Sequence, residues 1–263
     1  MTPESEQQNA VLAARRIVVK VGSSSVSGAN TGQIEPLVDA LVATYQRGVE
    51  VVLVSSGAIA SALGILRIDG RPQDLATQQA AAAVGQNILM WRYQTSLDRY
   101  GVLAGQVLLT AGDLENPTHR SNAQRAMERL LDLRILPIVN ENDTVATQEI
   151  RFGDNDHLAA LVCQLVRADL LVLLSDIDAL YTRPPLHPDA VKITEVAFDD
   201  DLGAVEFGDI GAAGVGTGGA STKVAAAKLA AASGTPVLLA STGDVAAALT
   251  GADIGTWFEA AAS

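Results

Sequence analysis

Short, continuous aliphatic runs alternate along the chain with longer Ala-rich stretches whose apolar residues recur at helical spacing. Residues 16–21, 49–54, 102–109, 135–139, 170–174 and 237–239 are of the first kind. They are short, have turn residues nearby and lack the apolar–polar alternation of a half-exposed strand, which predicts buried strands in a sheet covered on both faces. Residues 34–47, 73–100 (in one piece or two), 122–133, 156–167 and 221–233 are of the second kind and predict helices. Gly48, Gly101 and Gly234 stand where a left-handed C-cap would close three of them. Alternating strands and helices imply an α/β fold with a mostly parallel sheet, whose ligands bind outside the carboxyl ends of the strands. Residues 145–152 read as a small hairpin over that edge, and residues 181–210 as Pro- and Asp-rich surface.

Composition narrows the partners. The 263 residues carry 18 Lys and Arg against 30 Asp and Glu, a formal net charge of −12. No dense basic run interrupts this balance, which excludes a duplex nucleic acid partner. No apolar stretch approaches the roughly 20 residues that span a bilayer, and the polar first nine residues lack a signal-peptide layout. The expectation is therefore a cytoplasmic chain with no membrane contact. Its one cysteine, Cys163, excludes an internal disulfide framework and reads as helix packing. Hydrophobic residues make up 48% and aromatic ones only 4%, so the core must come from Ala, Val, Leu and Ile, which favours helices packed closely on a sheet. The length alone fits one large domain or two small ones.

Three stretches that follow the strands could carry chemistry. Lys20 ends the first strand and is followed by Gly22 and three serines. An ammonium there needs an anion or a route to solvent, so the loop is either a phosphate cradle or a solvated strand end. It is not a Walker A loop. The second stretch, residues 214–223, precedes an Ala-rich helix and contains Gly214, Gly216 and Gly219 in G-x-G-x-x-G spacing. That fingerprint raises a dinucleotide site, but the preceding residues are polar and Gly-rich where a strong strand is required. A helix start carrying Ser221, Thr222 and Lys223 suits terminal phosphates better, with a surface loop as the bland alternative. The third stretch is the acid and amide pair of strings Asn140-Glu141-Asn142-Asp143 and Gly153-Asp154-Asn155-Asp156, which read as helix caps or as a site.

Other chemistries find no footing. The second string lacks the spacing of a calcium loop, and His119, His157 and His187 have no ligand spacing. Ser56 is not in a nucleophile elbow. Two lysines at element ends, two Gly-rich loops and no nucleophile or base pair point to phosphoryl transfer onto an acceptor that is already ionised. A carboxylate, with a pKa near 4.3, requires no general base.

At this point the strings Val18-Val19-Lys20-Val21-Gly22, Ser55-Ser56-Gly57-Ala58, Ala83-Val84-Gly85-Gln86, Asn140-Glu141-Asn142-Asp143-Thr144-Val145-Ala146-Thr147, Gly153-Asp154-Asn155-Asp156 and Gly216-Thr217-Gly218-Gly219-Ala220-Ser221-Thr222-Lys223 resemble the glutamate 5-kinases of the amino acid kinase family. The resemblance covers almost the whole chain. It implies a three-layer αβα sandwich and a single kinase domain over residues 1–263, with a glutamate half and an ATP half. It also implies phosphorylation of the L-glutamate side-chain carboxylate by ATP. By position, Ser56, Asp143 and Asn155 would bind glutamate. Ser175, Asp176, Thr217, Gly218, Gly219, Ala220, Ser221, Thr222 and Lys223 would surround the nucleotide. Lys20 and Lys223 would neutralise the transferring group, Asp156 would hold both lysines, and Asp154 would assist nearby. Further implications are Mg2+, proline as a feedback inhibitor, homo-oligomers and a glutamyl phosphate reductase as partner. The sequence departs from the family pattern in Ala220, where many members have Met, in Ser175, where Thr is common, and in ending before the PUA domain many members carry. A silent glutamate or proline sensor and, on the glycine fingerprint alone, an NAD-dependent dehydrogenase are the alternatives.

Overall fold

The computed structural model describes residues 6–146, 155–203, 205–206 and 219–261. Among these described residues ten strands are formed: β1 (Arg16–Val21), β2 (Glu50–Ser55), β3 (Ala104–Leu109), β4 (Leu136–Glu141), β5 (Leu170–Ser175), β6 (Leu180–Tyr181), β7 (Lys192–Ile193), β8 (Glu195–Val196), β9 (Val237–Ser241) and β10 (Thr256–Phe258). Ten helices accompany them: α1 (Glu6–Ala13), α2 (Ser23–Val26), α3 (Ile34–Gln46), α4 (Ala58–Leu66), α5 (Leu75–Asp98), α6 (Ala111–Glu115), α7 (Pro117–Asp132), α8 (Asn155–Val166), α9 (Ala220–Ala231) and α10 (Val245–Ala248).

Eight strands make one sheet in the order β3-β4-β2-β1-β5-β9-β10-β8, and β6 and β7 pair separately. β1 is parallel to β2 on one side and to β5 on the other, β2 and β3 are parallel to β4, and β5 to β9. Within this sheet, among the described residues, the one antiparallel pair is β9 with β10, and the separate β6–β7 pair is antiparallel too. The chain first builds outward from β1 through β2, then returns to add β5 on the other flank. β1 is thus the switch point, and the crevice at its carboxyl end is where such sheets bind ligands.

Each central strand is buried on both faces, and its residues alternate between two cores. Ile17, Val19 and Val21 of β1 pack into a core with Leu37 and Leu41 of α3 and Leu89 and Tyr93 of α5. Val18 joins the opposite core, with Met127 of α7, Leu158 and Val162 of α8 and Ala227 of α9. The result is the three-layer, mostly parallel α/β arrangement that the pattern implied. The six expected strands and five expected helices are present, with shifted ends.

Several elements differ from expectation. The 73–100 segment is one helix, α5, capped by the Asp74 side chain, which accepts from Thr77 N–H at 2.8 Å. α7 begins at Pro117, earlier than the expected residue 122, because the Asn116 side chain accepts from the Thr118 and His119 amides and Pro117 suits the first helical position. The 181–210 stretch is not only surface: it carries Tyr181 of β6, β7 and β8, and buries Val196 and Leu202. Val145 lies in a turn rather than a hairpin strand, and residues 147–152 of the expected hairpin lie outside the described residues. Tyr93 is buried in the core, whereas Trp91 is 67% exposed.

Candidate active site

Strand alternation decides what Lys20 faces. Two residues on from Val18, it lies on the side covered by α8 and α9, and it is only 2% exposed. Its Nζ is ion-paired with Asp156 Oδ1 in the first turn of α8. Lys223, in the first turn of α9, brings its Nζ to 3.0 Å from Asp156 Oδ2. Asp156 has no exposed surface at all. Burial by itself would raise its pKa, but the two ammonium groups outweigh burial and hold the carboxyl below the usual carboxylate range. The trio carries one net positive charge at the carboxyl end of the central strand. Asp156 is therefore not the helix cap that its position suggested.

The β2–β4 side of this point is amide-rich. Ser56 N–H donates to Val21 O at 3.1 Å, tying the end of β2 to the end of β1. Gly57 follows with φ of 105°, a left-handed turn that opens α4 and that a side chain would strain. Asn155, at the start of α8, donates to Ser55 O at 2.9 Å and to Asn140 Oδ1 at 2.6 Å. Asp143 lies in the turn after β4, which is anchored by Asn142 N–H donating to Leu109 O at 2.9 Å. Ser56, Asp143 and Asn155 thus sit on neighbouring strand and helix ends.

The β5–β9 side is made of hydroxyls. Ser175 ends β5, is 4% exposed, and its Oγ donates to Asp176 Oδ1 at 3.1 Å. Thr242, after β9, donates to Ser175 O at 3.1 Å and lies 2.9 Å from Ser25 Oγ in α2, the short helix after β1. That one side chain joins the ends of β5 and β9 to the helix that follows β1. Gly219 is the extended N-cap of α9, and Ala220, Ser221 and Thr222 form its partly exposed first turn. That turn offers the unpaired backbone N–H groups and positive dipole end that suit phosphate. Asp154, Thr217, Gly218, and Gly214 and Gly216 of the glycine fingerprint lie outside the described residues.

Sequence reading placed Asn140 in a candidate string and Gln86 in a resemblance string without giving either a role, and did not single out Thr242. Buried polar side chains at strand ends are a signal, but no spacing in one sequence pairs residues so far apart. His119, His157 and His187 are exposed. Cys163 is buried in α8, and burial pushes its thiol pKa well up, as packing requires. Among the described residues the trio of carboxylates that could gather a metal ion is Glu6, Glu195 and Glu259, the second of them in the edge strand β8. No helix among the described residues is long and apolar enough to cross a membrane.

Residues 15–241 match the amino acid kinase family. A glutamate 5-kinase of Clavibacter sepedonicus is 71% identical over 248 residues, covering 94% of this chain and 95% of its own. One of Leifsonia xyli subsp. xyli is 67% identical, covering 96% and 94%. One of Streptomyces coelicolor is 55% identical over 96% of this chain and 69% of its own. Among solved structures, carbamate kinase from Giardia lamblia bound to AMP-PNP superposes with a TM-score of 0.67 at 17% identity, covering 95% of this chain and 99% of that one. This last likeness supports the fold alone.

Proposed function

The chain belongs to the amino acid kinase family and, within it, to the glutamate 5-kinases, and we propose that it transfers the γ-phosphoryl group of ATP to the side-chain carboxylate of L-glutamate. The bond between the γ-phosphorus and the β-phosphate oxygen breaks, one to a carboxylate oxygen forms, and ADP and L-glutamyl 5-phosphate leave. The reaction opens proline biosynthesis. No general base is needed, since the acceptor is ionised at neutral pH. Catalysis then reduces to alignment and to positive charge held where negative charge crosses.

The observation that carries this reading is the buried Lys20–Asp156–Lys223 trio at the switch point of the sheet. Asp156 fixes both ammonium groups, and the net positive charge meets the moving phosphoryl group. Ser56, Asp143 and Asn155 hold glutamate on the β2–β4 side, and the resemblance adds Asp154 as an assisting residue. Ser175, Asp176 and residues 217–223 hold ATP on the β5–β9 side. One kinase domain is thereby divided into a glutamate half and an ATP half. Ala220 and Ser175 keep the backbone groups that such a site uses.

Mg2+ fits as a companion of the nucleotide. The described residues form no three-carboxylate cage at this site, and a magnesium ion usually takes one or two carboxylates, water and substrate phosphates. Asp176, exposed beside Ser175, is the described carboxylate placed to share in holding it. When bound, the ion offsets phosphate charge. Proline is proposed as an inhibitor at the glutamate half, copies of the chain as partners, and a reductase as the recipient of the labile acyl phosphate in the cytoplasm. Neither a silent sensor nor a dehydrogenase has an observation in its favour.

The test is trapping. Incubated with ATP, Mg2+ and L-glutamate, the protein should give a γ-glutamyl hydroxamate when hydroxylamine is present, in step with ADP. Folded protein that yields no hydroxamate would defeat the reading.

A further inference from the structure

A buried chain of side-chain amides runs behind Asn155 in the glutamate half, and none of the steps above uses its other members, Gln86 and Asn140. Gln86 Oε1 accepts from Asn140 Nδ2 at 2.7 Å, and Asn140 Oδ1 accepts from Asn155 Nδ2 at 2.6 Å. The two ends of an amide are told apart by their partners, and here backbone groups decide. Ser55 C=O can only accept, so the end of Asn155 that lies 2.9 Å from it is the NH2 group. Glu141 N–H can only donate, so the end of Asn140 that lies 2.8 Å from it is the oxygen. Both hydrogens of Asn155 Nδ2 are therefore committed, one to Ser55 and one to Asn140. What Asn155 retains for a ligand is Oδ1, which can only accept.

This polarity selects among the groups of an amino acid substrate. L-Glutamate at neutral pH has two carboxylates, which accept, and one ammonium, which donates. Resting on the kinase reading, we infer that Asn155 Oδ1 receives the substrate's α-ammonium group, and that Gln86 is the positioning residue that fixes this polarity through Asn140. Gln86 is 8% exposed, and its Nε2 is buried with no partner among the described residues. An orphaned amide nitrogen is unfavourable, so packing alone would be better served by Met. The oxygen is the part of Gln86 with a partner. It holds Asn140 Nδ2 and so keeps the Asn140 oxygen turned toward Asn155. Without it the Asn140 amide can rotate, and the second hydrogen of Asn155 loses its acceptor.

The experiment compares L-glutamate with glutarate, which keeps both carboxylates and lacks the ammonium. Glutarate is scored by its Ki in competition with glutamate, so it need not be turned over. In the wild-type protein glutarate should bind at least tenfold more weakly than glutamate; equal binding would overturn the assignment of Asn155. Gln86→Met should raise KM for glutamate about tenfold, leave the glutarate Ki and the KM for ATP within twofold, and keep the thermal midpoint. Gln86→Glu, which keeps an oxygen facing Asn140, should recover most of the discrimination. A Gln86→Met protein that discriminates like wild type, or loses glutamate and glutarate equally, would show a structural role and overturn the inference. If Gln86→Met does not fold, the wild-type comparison and Gln86→Glu still decide it. Absence of hydroxamate from wild type would instead defeat the kinase reading, before any variant is measured.

Discussion

Lys20 sits where a strand should be apolar, and it is tolerated because α8 delivers a carboxylate to the same face. Removing one lysine should therefore do two separable things. Lys20→Met or Lys223→Met takes positive charge from the transition state, for which a loss of about 10²–10³ in kcat is the expected scale. Each also leaves Asp156 buried with one cation fewer, a stability loss of up to about 3–5 kcal/mol. Adding Asp156→Asn to Lys20→Met should restore the urea midpoint but not turnover. If turnover returns with stability, the charge role is wrong. The acid limb gives a further check. Asp156 has a folded-state pKa below its ordinary value, so its contribution to stability is complete above about pH 4 and is lost as pH falls below that, through the depressed pKa. Wild-type thermal midpoints should fall between pH 4 and 2 more steeply than those of Asp156→Asn. At this scale the sequence made both lysines visible, Lys20 because a lysine near the end of an aliphatic run is chemically odd, and Lys223 because it follows a Gly-rich stretch at a helix start. Their convergence on Asp156 was not visible to residue reasoning, which left Asp156 open between a helix cap and a site residue, and only the resemblance suggested it.

Between elements, the glutamate half depends on how closely α5 can approach the start of α4. A Cβ at Gly85 would overlap the Ala58 carbonyl and come within 3.3 Å of Ala62 Cβ, so the two helices bring backbone against backbone only because position 85 has no side chain. Gly85→Ala should cost about 1–3 kcal/mol as overpacking, a fall of several degrees in thermal midpoint, and should raise KM for glutamate because α4 begins directly after Ser56 and Gly57. Gly64→Ala, in the same helix α4 but with nothing within 4 Å, should instead stabilise by about 0.5–1 kcal/mol. Equal effects would mean that the close contact does not matter. The elements themselves were legible in proportion to their burial. Residues 16–21 are apolar apart from Arg16 at the start and Lys20 near the end, and β1 has those bounds. α4 was missed because Ala58 to Leu66 is apolar almost throughout and shows no period. β10 was missed because three residues carry no pattern; it is held by pairing with both β9 and β8.

For the molecule as a whole, the net charge of −12 sets a problem that the site solves locally. ATP and glutamate are both anions, and long-range repulsion from an acidic surface opposes their approach. The cations that answer it, Lys20 and Lys223, are buried beside Asp156, where solvent ions screen them little. Surface repulsion acts over longer distances and is screened within about 10 Å at 0.1 M salt. Added salt should thus remove the opposing field and leave the attracting one. At fixed free Mg2+ and saturating ATP, kcat/KM for glutamate should hold or rise between about 20 and 200 mM KCl, and kcat should stay constant. A site that worked by steering its anionic substrate with exposed cations would lose several-fold over the same range. Such a fall would mean that the working positive charge lies at the surface rather than in the buried trio.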